Sequence, residues 1–255
     1  MTRPRGIDHF LGYMKGLESE YVVIGGGAAA ILMEQEGLEF RATRDIDLVL
    51  LTNTSASLNE RITAYVNLGR FNKNERTEGA PRYYRFREPQ DSSFAEMIEI
   101  FARNDQDIAL AEGQYIIPIQ SDDIARISAI LFDDEYFELI KLNCIRAEGG
   151  ISIINAPGNI CLKARAHREM SERKTKGENV DEKDIKKHRN DILRIAMTLK
   201  GGERIVLGPQ AKNDLEIALE KLREMPAKQF KQLMSSYPGA NQTDLLTLIW
   251  QVFID

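Results

Sequence analysis

The sequence predicts an α+β protein, with strands and helices in residues 1–155 and a helical C-terminal domain in residues 156–255. Two observations predict this division. Short β-prone apolar runs occur only before the boundary, at residues 21–24, 46–51 and 94–101. Beyond Pro157, nearly every segment has the apolar spacing of an amphipathic helix. Each predicted element rests on a local pattern of this kind.

The first part opens with a helix within residues 1–20, where Ile7, Phe10, Leu11 and Met14 have helical spacing. A strand at 21–24 precedes three glycines, which predict a tight turn, and residues 28–36 then favour a helix. A strand from Ile46 and a helix at 58–68 follow, and strands at 82–87 and 94–101 form a predicted hairpin. After them we expect a helix at 122–132, a solvated acidic turn at 133–135 and a second hairpin around 148–150.

The helical part has its own sequence of predicted elements. They are a helix at 159–170, a charged loop at 171–179, a long helix at 181–199, and shorter helices at 209–223, 227–234 and 243–253. Gly201 and Gly202 are typical of the residues that follow a helix.

Composition narrows the class of protein. The chain has 255 residues, of which 29% are charged and 43% hydrophobic, as is ordinary for a globular protein. Its net charge of −5 argues against a wholly basic nucleic-acid coat. No apolar run approaches the ~20 residues of a membrane span, and no signal core is visible, so we expect a cytoplasmic location. Two isolated cysteines and three scattered histidines form neither a disulfide framework nor a zinc motif.

Two aspartates beside the glycine turn are the main chemical feature. Asp45 and Asp47 have i, i+2 spacing, which in a strand puts both carboxylates on one face, about 7 Å apart. The glycine turn offers backbone N–H groups to a phosphate, and the carboxylates suit a divalent metal ion held against it. The spacing from Gly25 to Ala30 also fits a dinucleotide fingerprint, but there the acid ends a strand instead of beginning one. An ordinary strand with surface aspartates is the other alternative.

Residues 21–50 closely resemble the AbiEii-type toxin nucleotidyltransferases, in the motifs Ile-Gly-Gly-x-Ala and Arg-x-Thr-x-Asp-Ile-Asp-Leu. Weaker resemblance covers residues 94–103, 123–137 and 159–199, and none reaches the last fifty residues. It implies a nucleotidyltransferase fold, a small mixed sheet flanked by helices with a helical domain closing a cleft. It also implies transfer of a nucleoside monophosphate from a triphosphate to a hydroxyl of RNA, such as tRNA, or of protein, within a toxin–antitoxin pair.

The resemblance assigns roles to particular residues. Asp45, Asp47 and a third carboxylate, Glu99, would bind Mg²⁺ or Mn²⁺, with Glu96 as the fallback for Glu99. A carboxylate inside the apolar run 94–101 is costly without a cation, although a paired arginine would serve as well as metal. Gly25 and Gly26 would donate to the β- and γ-phosphates. Many relatives carry serine at the position of Gly26. Because this chain has glycine there, we expect no hydroxyl at that position.

Cations and a second acidic group complete the predicted nucleotide site. Lys163, in the segment Ile160-Cys-Leu-Lys-Ala-Arg-Ala166, resembles the lysine of a Leu-Lys-x-Ala helix of the family and would neutralise the polyphosphate, although exposed lysines are common near helix starts. Arg44 would contact substrate or pair with an aspartate. Asp184, His188 and Asp191 lie on one face of a predicted helix. In one interpretation, Asp184 or Asp191 orients Lys163 or an arginine over the phosphates. In the other, the three residues form a polar cluster between the two domains.

Two other functions stay open from the sequence. An antibiotic-modifying nucleotidyltransferase would use the same residues on a small hydroxyl acceptor. A non-catalytic nucleotide-binding protein would keep the fold without turnover. The toxin interpretation predicts an antitoxin partner encoded nearby.

Overall fold

The structure is a computed structural model that describes residues 5–51, 56–73, 83–101 and 134–253. The predicted helix at 122–132 and Asp133 of the predicted acidic turn lie outside the described residues.

Seven strands form one mixed sheet within the described residues, in the order β3-β4-β5-β2-β1-β7-β6. Their bounds are β1 Tyr21–Ile24, β2 Asp45–Leu50, β3 Asn72–Lys73, β4 Tyr83–Arg87, β5 Met97–Phe101, β6 Cys144–Arg146 and β7 Ser152–Ile154. β1 pairs antiparallel with β2 and parallel with β7, while β2 runs parallel to β5. The predicted α+β class and the hairpins β4–β5 and β6–β7 are confirmed.

The antiparallel pairing of β1 with β2 decides between two interpretations of the glycine-rich stretch. A dinucleotide fold needs a parallel strand–helix–strand unit with the acid at the end of the second strand. Here Asp45 is the first residue of β2, and Ile24 at the end of β1 lies opposite Asp47. The dinucleotide alternative is therefore excluded.

Nine helices accompany the sheet in the part of the chain that the structure describes. They are α1 Ile7–Tyr13, α2 Gly25–Gln35, α3 Ala56–Leu68, α4 Asp134–Leu142, α5 Ala156–Thr175, α6 Glu182–Ala196, α7 Pro209–Arg223, α8 Ala227–Leu233 and α9 Gln242–Phe253. One apolar core runs from the strands into these helices, and α5 packs against α2, α6 and α7. No helix among the described residues combines the length and apolarity that a membrane crossing requires.

Helix α2 begins earlier than the sequence predicts. Gly25, Gly26 and Gly27 form its first turn, so the prediction of a separate glycine turn before Ala28 was wrong. Only Gly25 of the three has a positive φ, +67°, because a single residue is enough to turn the chain from β1 into the helix.

Helix α5 is also longer than predicted. It begins at Ala156, where the Asn155 side chain accepts a hydrogen bond of 2.9 Å from the backbone N–H of Gly158. It continues to Thr175, so the predicted charged loop at 171–179 was wrong over its first half. The ion pair of Arg168 with Glu172 at i, i+4, with a separation of 2.6 Å, stabilises this extension.

The acidic residues after 133 do not form a solvated turn. Asp134 and Glu135 begin α4, and the Glu135 carboxylate accepts a hydrogen bond of 2.8 Å from the backbone N–H of Ala211 in the first turn of α7. The N-terminus of a helix stabilises an anion, which is why this acid points into the protein instead of into water. The prediction for Asp134 and Glu135 was therefore wrong.

A buried polar cluster joins three of the helices beside this contact. The fully buried Asp214 of α7 accepts a hydrogen bond of 2.7 Å from the Tyr136 hydroxyl of α4. Arg165 and Arg168 of α5 pair with the same carboxylate. Because a buried carboxylate is stable only when it is paired, this cluster fixes α4, α5 and α7 to one another.

Candidate active site

Asp47 and Glu99 lie side by side on one face of the sheet. They are register partners on the parallel strands β2 and β5, so their side chains project in the same direction. Glu99 is only 4% exposed, and Asp47 is half-buried. The sequence-predicted third acid is therefore brought next to the aspartates. The register also sets Arg85 of β4 opposite Glu99 on its other side.

The two acids interact directly. The Asp47 and Glu99 carboxyl groups lie close enough for each to affect the ionisation of the other. Burial raises the pKa of the Asp47 carboxyl above its ordinary value, while the nearby Lys163 opposes that rise and Asp45 adds to it. Two adjacent carboxyl groups in such surroundings need either a shared proton or a cation between them.

Asp45 shares this face two residues before Asp47 and is half-buried. Within residues 5–51, 56–73, 83–101 and 134–253, no three His, Cys, Asp or Glu side chains are already gathered closely enough to enclose a metal ion. Mg²⁺ does not need such a cage, because it binds one or two carboxylates and completes its shell with phosphate oxygens and water. The chemistry of Asp45, Asp47 and Glu99 therefore fits a metal that binds together with a phosphate.

Gly25 packs directly against the Asp47 carboxylate. A Cβ at Gly25 would collide with the carboxyl group of Asp47, so this position needs glycine for space as well as for its positive φ. The close approach puts the N-terminus of α2 beside the acids. The N-cap residue Ile24 makes no side-chain hydrogen bond to the N–H groups of the first turn of α2, and such N–H groups suit a phosphate.

The Thr43 side chain puts a hydroxyl beside Gly26, where the sequence predicts none. A Cβ at Gly26 would come within 2.8 Å of the Thr43 Oγ1, and within 3.7 Å of a guanidinium nitrogen of Arg41. The space that a serine side chain would occupy is thus already filled by a hydroxyl from the segment before β2. The sequence already indicated this hydroxyl, since Thr43 is the threonine of the Arg-x-Thr-x-Asp motif.

Asn159 holds the glycine segment from the side of the helical part. Its side chain is fully buried, and its Nδ2 donates a hydrogen bond of 3.0 Å to the carbonyl oxygen of Gly25. Asn159 lies one turn before Lys163 on α5. The same helix therefore fixes the turn beside Asp47 and carries the predicted cation. Sequence reasoning missed Asn159, and an asparagine in an otherwise apolar helical turn was the available signal.

Lys163 projects into the space between the sheet and α6. Its side chain is 8% exposed, and its Nζ lies 3.8 Å from an oxygen of Asp191. Burial lowers the pKa of the Lys163 ammonium to about 8, and the charges of Asp191 and Asp47 act against that shift. Lys163 is therefore a desolvated cation near the carboxylates, in the region where sequence reasoning expects the polyphosphate.

Asp191, and not Asp184, is the acid of α6 that contacts the predicted cations. Arg41 binds it with two nitrogens at 2.9 and 2.7 Å, and Arg194 Nη1 approaches to 3.1 Å. Although burial acts in the opposite direction, the hydrogen bonds from Arg41 and the charge of Lys163 hold the pKa of Asp191 below its ordinary value. Asp184 lies near the start of α6, two turns from this cluster.

Two further residues of α6 lie near the cluster. Lys187 is exposed, and it lies close enough for its charge to act on both Asp47 and Lys163. Burial, together with the charge of Lys163, lowers the pKa of His188 well below its ordinary value, so this ring is neutral at pH 7. Sequence reasoning did not select Lys187, although it shares a helix face with Asp184 and Asp191.

Arg44 and Glu96 pair with each other at the surface. The Arg44 guanidinium lies 3.1 Å from a carboxylate oxygen of Glu96, and Arg5 approaches the same oxygen at 3.4 Å. The expected pairing of Arg44 with an aspartate is therefore replaced by pairing with this glutamate. Glu96 is engaged away from Asp47, which leaves Glu99 as the acid beside the aspartates.

No protein-family model, curated protein or solved structure matched this chain when it was compared with each of these groups.

Proposed function

We propose that this protein is a metal-dependent nucleotidyltransferase that moves a nucleoside monophosphate from a triphosphate to an acceptor hydroxyl. One observation carries the proposal: Asp47 and Glu99 are neighbours on adjacent strands, and Asp47 lies against the N-terminus of α2 in direct contact with Gly25. Carboxylates for a cation beside backbone donors for a phosphate are what nucleotidyl transfer requires.

Mg²⁺ or Mn²⁺ would be held by Asp45, Asp47 and Glu99. When bound, the metal supplies positive charge to the reacting phosphate and lowers the pKa of the attacking hydroxyl. The raised pKa of the Asp47 carboxyl supports this assignment, because a bound cation would offset the cost of ionising a carboxyl group that is buried beside another one.

The protein's own groups bind and orient the triphosphate. The backbone N–H groups of Gly26 and Gly27 in the first turn of α2 would donate to the outer phosphates. Lys163 would neutralise the charge that develops on the leaving pyrophosphate, and Asp191 would hold Lys163 and Arg41 in position. The acceptor oxygen bonds to the α-phosphorus as the bond to pyrophosphate breaks, and the hydroxyl proton passes to a carboxylate or to water.

The biological setting follows from the sequence resemblance to AbiEii-type toxins. On that basis the acceptor is RNA, such as tRNA, or a protein, the protein acts in the cytoplasm, and an antitoxin controls it. An antibiotic-modifying enzyme would share the same carboxylates and triphosphate site, and would differ only in its acceptor.

A transfer assay separates these functions. The protein is incubated with α-labelled triphosphates and Mg²⁺, together with total tRNA, cell extract or an aminoglycoside. Label in RNA or in a protein band supports the toxin-like function, and label on the drug supports the resistance enzyme. Metal-dependent triphosphate binding without transfer to any acceptor would contradict the proposed activity and support a non-catalytic protein.

A further inference from the structure

A concave region lies beside Asp45, on the side of β2 that faces β5 and β4. It has a volume of about 370 Å³, and its walls include Asp45, Arg5, Arg87 and Glu96. Asp45 therefore borders both the metal-binding acids and this cavity. A group bound in the cavity would lie next to the reacting phosphate.

Arg87 belongs to this side of the sheet by strand register. It pairs with Met97 of β5, which in turn pairs with Asp45 of β2, so the three residues form one row on the same face. The Nε of Arg87 is buried and has no hydrogen-bond partner among the residues that the structure describes. A buried guanidinium N–H without an acceptor is costly, which indicates that a ligand supplies the acceptor.

Two of the acids in the wall of the cavity, Glu96 and Glu88, bind residues other than Arg87. Glu96 pairs with Arg44 and Arg5. Glu88 accepts a hydrogen bond of 2.7 Å from the Asn72 side chain. Neither of these two carboxylates forms an ion pair with Arg87. The planar guanidinium of Arg87 has the geometry to bind two oxygens of a phosphate.

The position of Arg87 distinguishes the two reactants. Gly25, Asn159 and Lys163 lie on the β1 side of Asp47, where the triphosphate and its leaving pyrophosphate are expected. Arg87 lies across β5 on the opposite side. In an in-line displacement, the attacking hydroxyl approaches from the side opposite the leaving group. The cavity therefore faces the acceptor.

We propose that the Arg87 cavity binds a phosphate group of the acceptor, next to its attacking hydroxyl. This inference rests on the proposed nucleotidyltransferase function and makes the acceptor a phosphodiester chain, that is, the hydroxyl end of an RNA strand. An aminoglycoside is polycationic and would be repelled by Arg87, and a protein hydroxyl carries no adjacent phosphate.

The test compares Arg87→Gln with wild-type protein in two measurements. The first is the KM for transfer to a short single-stranded oligoribonucleotide, measured beside the KM for the triphosphate. We expect the oligonucleotide KM to rise about 10- to 100-fold, as when a hydrogen bond to a charged group is lost. The KM for the triphosphate should be unchanged. Arg204→Gln, at an exposed arginine remote in sequence, is the matched control and should change neither value.

The second measurement is direct binding of the same labelled oligonucleotide by fluorescence anisotropy, which needs no turnover. Wild-type protein could bind the oligonucleotide and yet show no transfer activity, while Arg87→Gln fails to bind it. That result would support the phosphate subsite and reject the proposed enzymatic function. Unchanged oligonucleotide binding would overturn the inference. An equal loss of triphosphate binding would also overturn it, because the cavity would then serve the triphosphate.

A conservative variant covers the case in which Arg87→Gln does not fold. Arg87→Lys keeps the charge but replaces the guanidinium with a single ammonium. Oligonucleotide binding should weaken by about three- to tenfold in this variant, since the paired hydrogen bonds are lost. Unchanged binding would contradict a phosphate subsite built on the guanidinium.

Discussion

The carboxyl groups of Asp47 and Glu99 meet because the two residues are exact register partners on adjacent parallel strands. They come from segments about fifty residues apart in the chain, and each carboxyl group affects the ionisation of the other. A register shift of one residue would send Glu99 to the other face of the sheet. The pairing of β2 with β5 is thus what creates a two-carboxylate site from two separate motifs.

The contact between Gly25 and Asp47 gives a first prediction. Gly25→Ala should reduce transfer activity at least tenfold, because the new methyl group displaces the Asp47 carboxylate. The matched control is Gly37→Ala, whose φ of +69° is close to the +67° of Gly25 but whose added Cβ would meet no atom within 4 Å.

Both glycine variants should lose about 1–2 kcal/mol of unfolding free energy, the cost of an L-residue in the left-handed region. Urea unfolding measures this loss, and an initial-rate assay measures activity. Equal activity in the two variants would show that the Gly25 contact does not position Asp47.

Asp191 should matter more than Asp184 on the same helix. Asp191→Asn leaves Arg41, Lys163 and Arg194 without their shared buried anion, so the free energy of unfolding should fall by about 3–5 kcal/mol. Asp184→Asn should cost less than about 1 kcal/mol, since Asp184 lies in the first turn of α6 and interacts with the helix dipole. Chemical denaturation of the two variants tests the contrast, and similar losses would contradict it.

The lowered pKa of Lys163 predicts a pH dependence of triphosphate binding. The folded protein loses this charge near pH 8, whereas an unfolded lysine keeps it to about 10.5. Affinity for the triphosphate should therefore fall as the pH rises above about 8. Over the same window, from 8 to 10.5, the lysine should make the fold more stable with rising pH, because the unfolded chain binds the extra proton.

Lys163→Arg should remove the fall in affinity, since arginine stays charged throughout this range. Calorimetric titrations from pH 7 to 9.5 at constant Mg²⁺ measure the effect, and Lys141→Arg at an exposed lysine is the control. An identical pH profile for Lys163→Arg and wild type would exclude Lys163 as the group responsible.

Asp214 should contribute to stability without a direct role in the site. Asp214→Asn removes the buried anion shared by Tyr136, Arg165 and Arg168, so the free energy of unfolding should fall by about 3–5 kcal/mol. Asp244→Asn, at an exposed acid of α9, should change it by less than about 0.5 kcal/mol. Urea denaturation provides both values, and a small effect at Asp214 would show that the cluster is not needed to hold α4 and α7.

Local patterns predicted most of the elements but not their limits. The apolar spacing that places α7 between Pro209 and Arg223 is a property of a short segment, and the predicted bounds agree with the structure. The start of α2 was missed because three glycines have low helix propensity, and here packing against Asp47 and Asn159 outweighs it. Likewise, the role of Glu135 depends on α7, seventy-five residues later.

The site was predictable where its residues share a strand and less so where they meet across the fold. Asp45 and Asp47 follow from the period of a strand, and Glu99 from the cost of an acid in an apolar run. The choice of Asp191 over Asp184 depends on where Arg41 and Lys163 approach α6, which helical spacing does not specify. The row that connects Asp45 with Arg87 depends on strand pairing, so no local pattern indicates it.

The most direct test of the central claim is isothermal calorimetry with a non-hydrolysable nucleoside triphosphate, in the presence and absence of Mg²⁺ or Mn²⁺. Wild-type protein should bind the triphosphate only with the metal, and Asp47→Asn should abolish that binding while Asp244→Asn leaves it unchanged. In metal-free buffer, Asp47→Asn should unfold at the same or a higher temperature, since the cost of burying the Asp47 charge and its repulsion with Asp45 are removed. Unchanged metal-dependent affinity in Asp47→Asn, or binding that does not depend on metal, would contradict the proposed site.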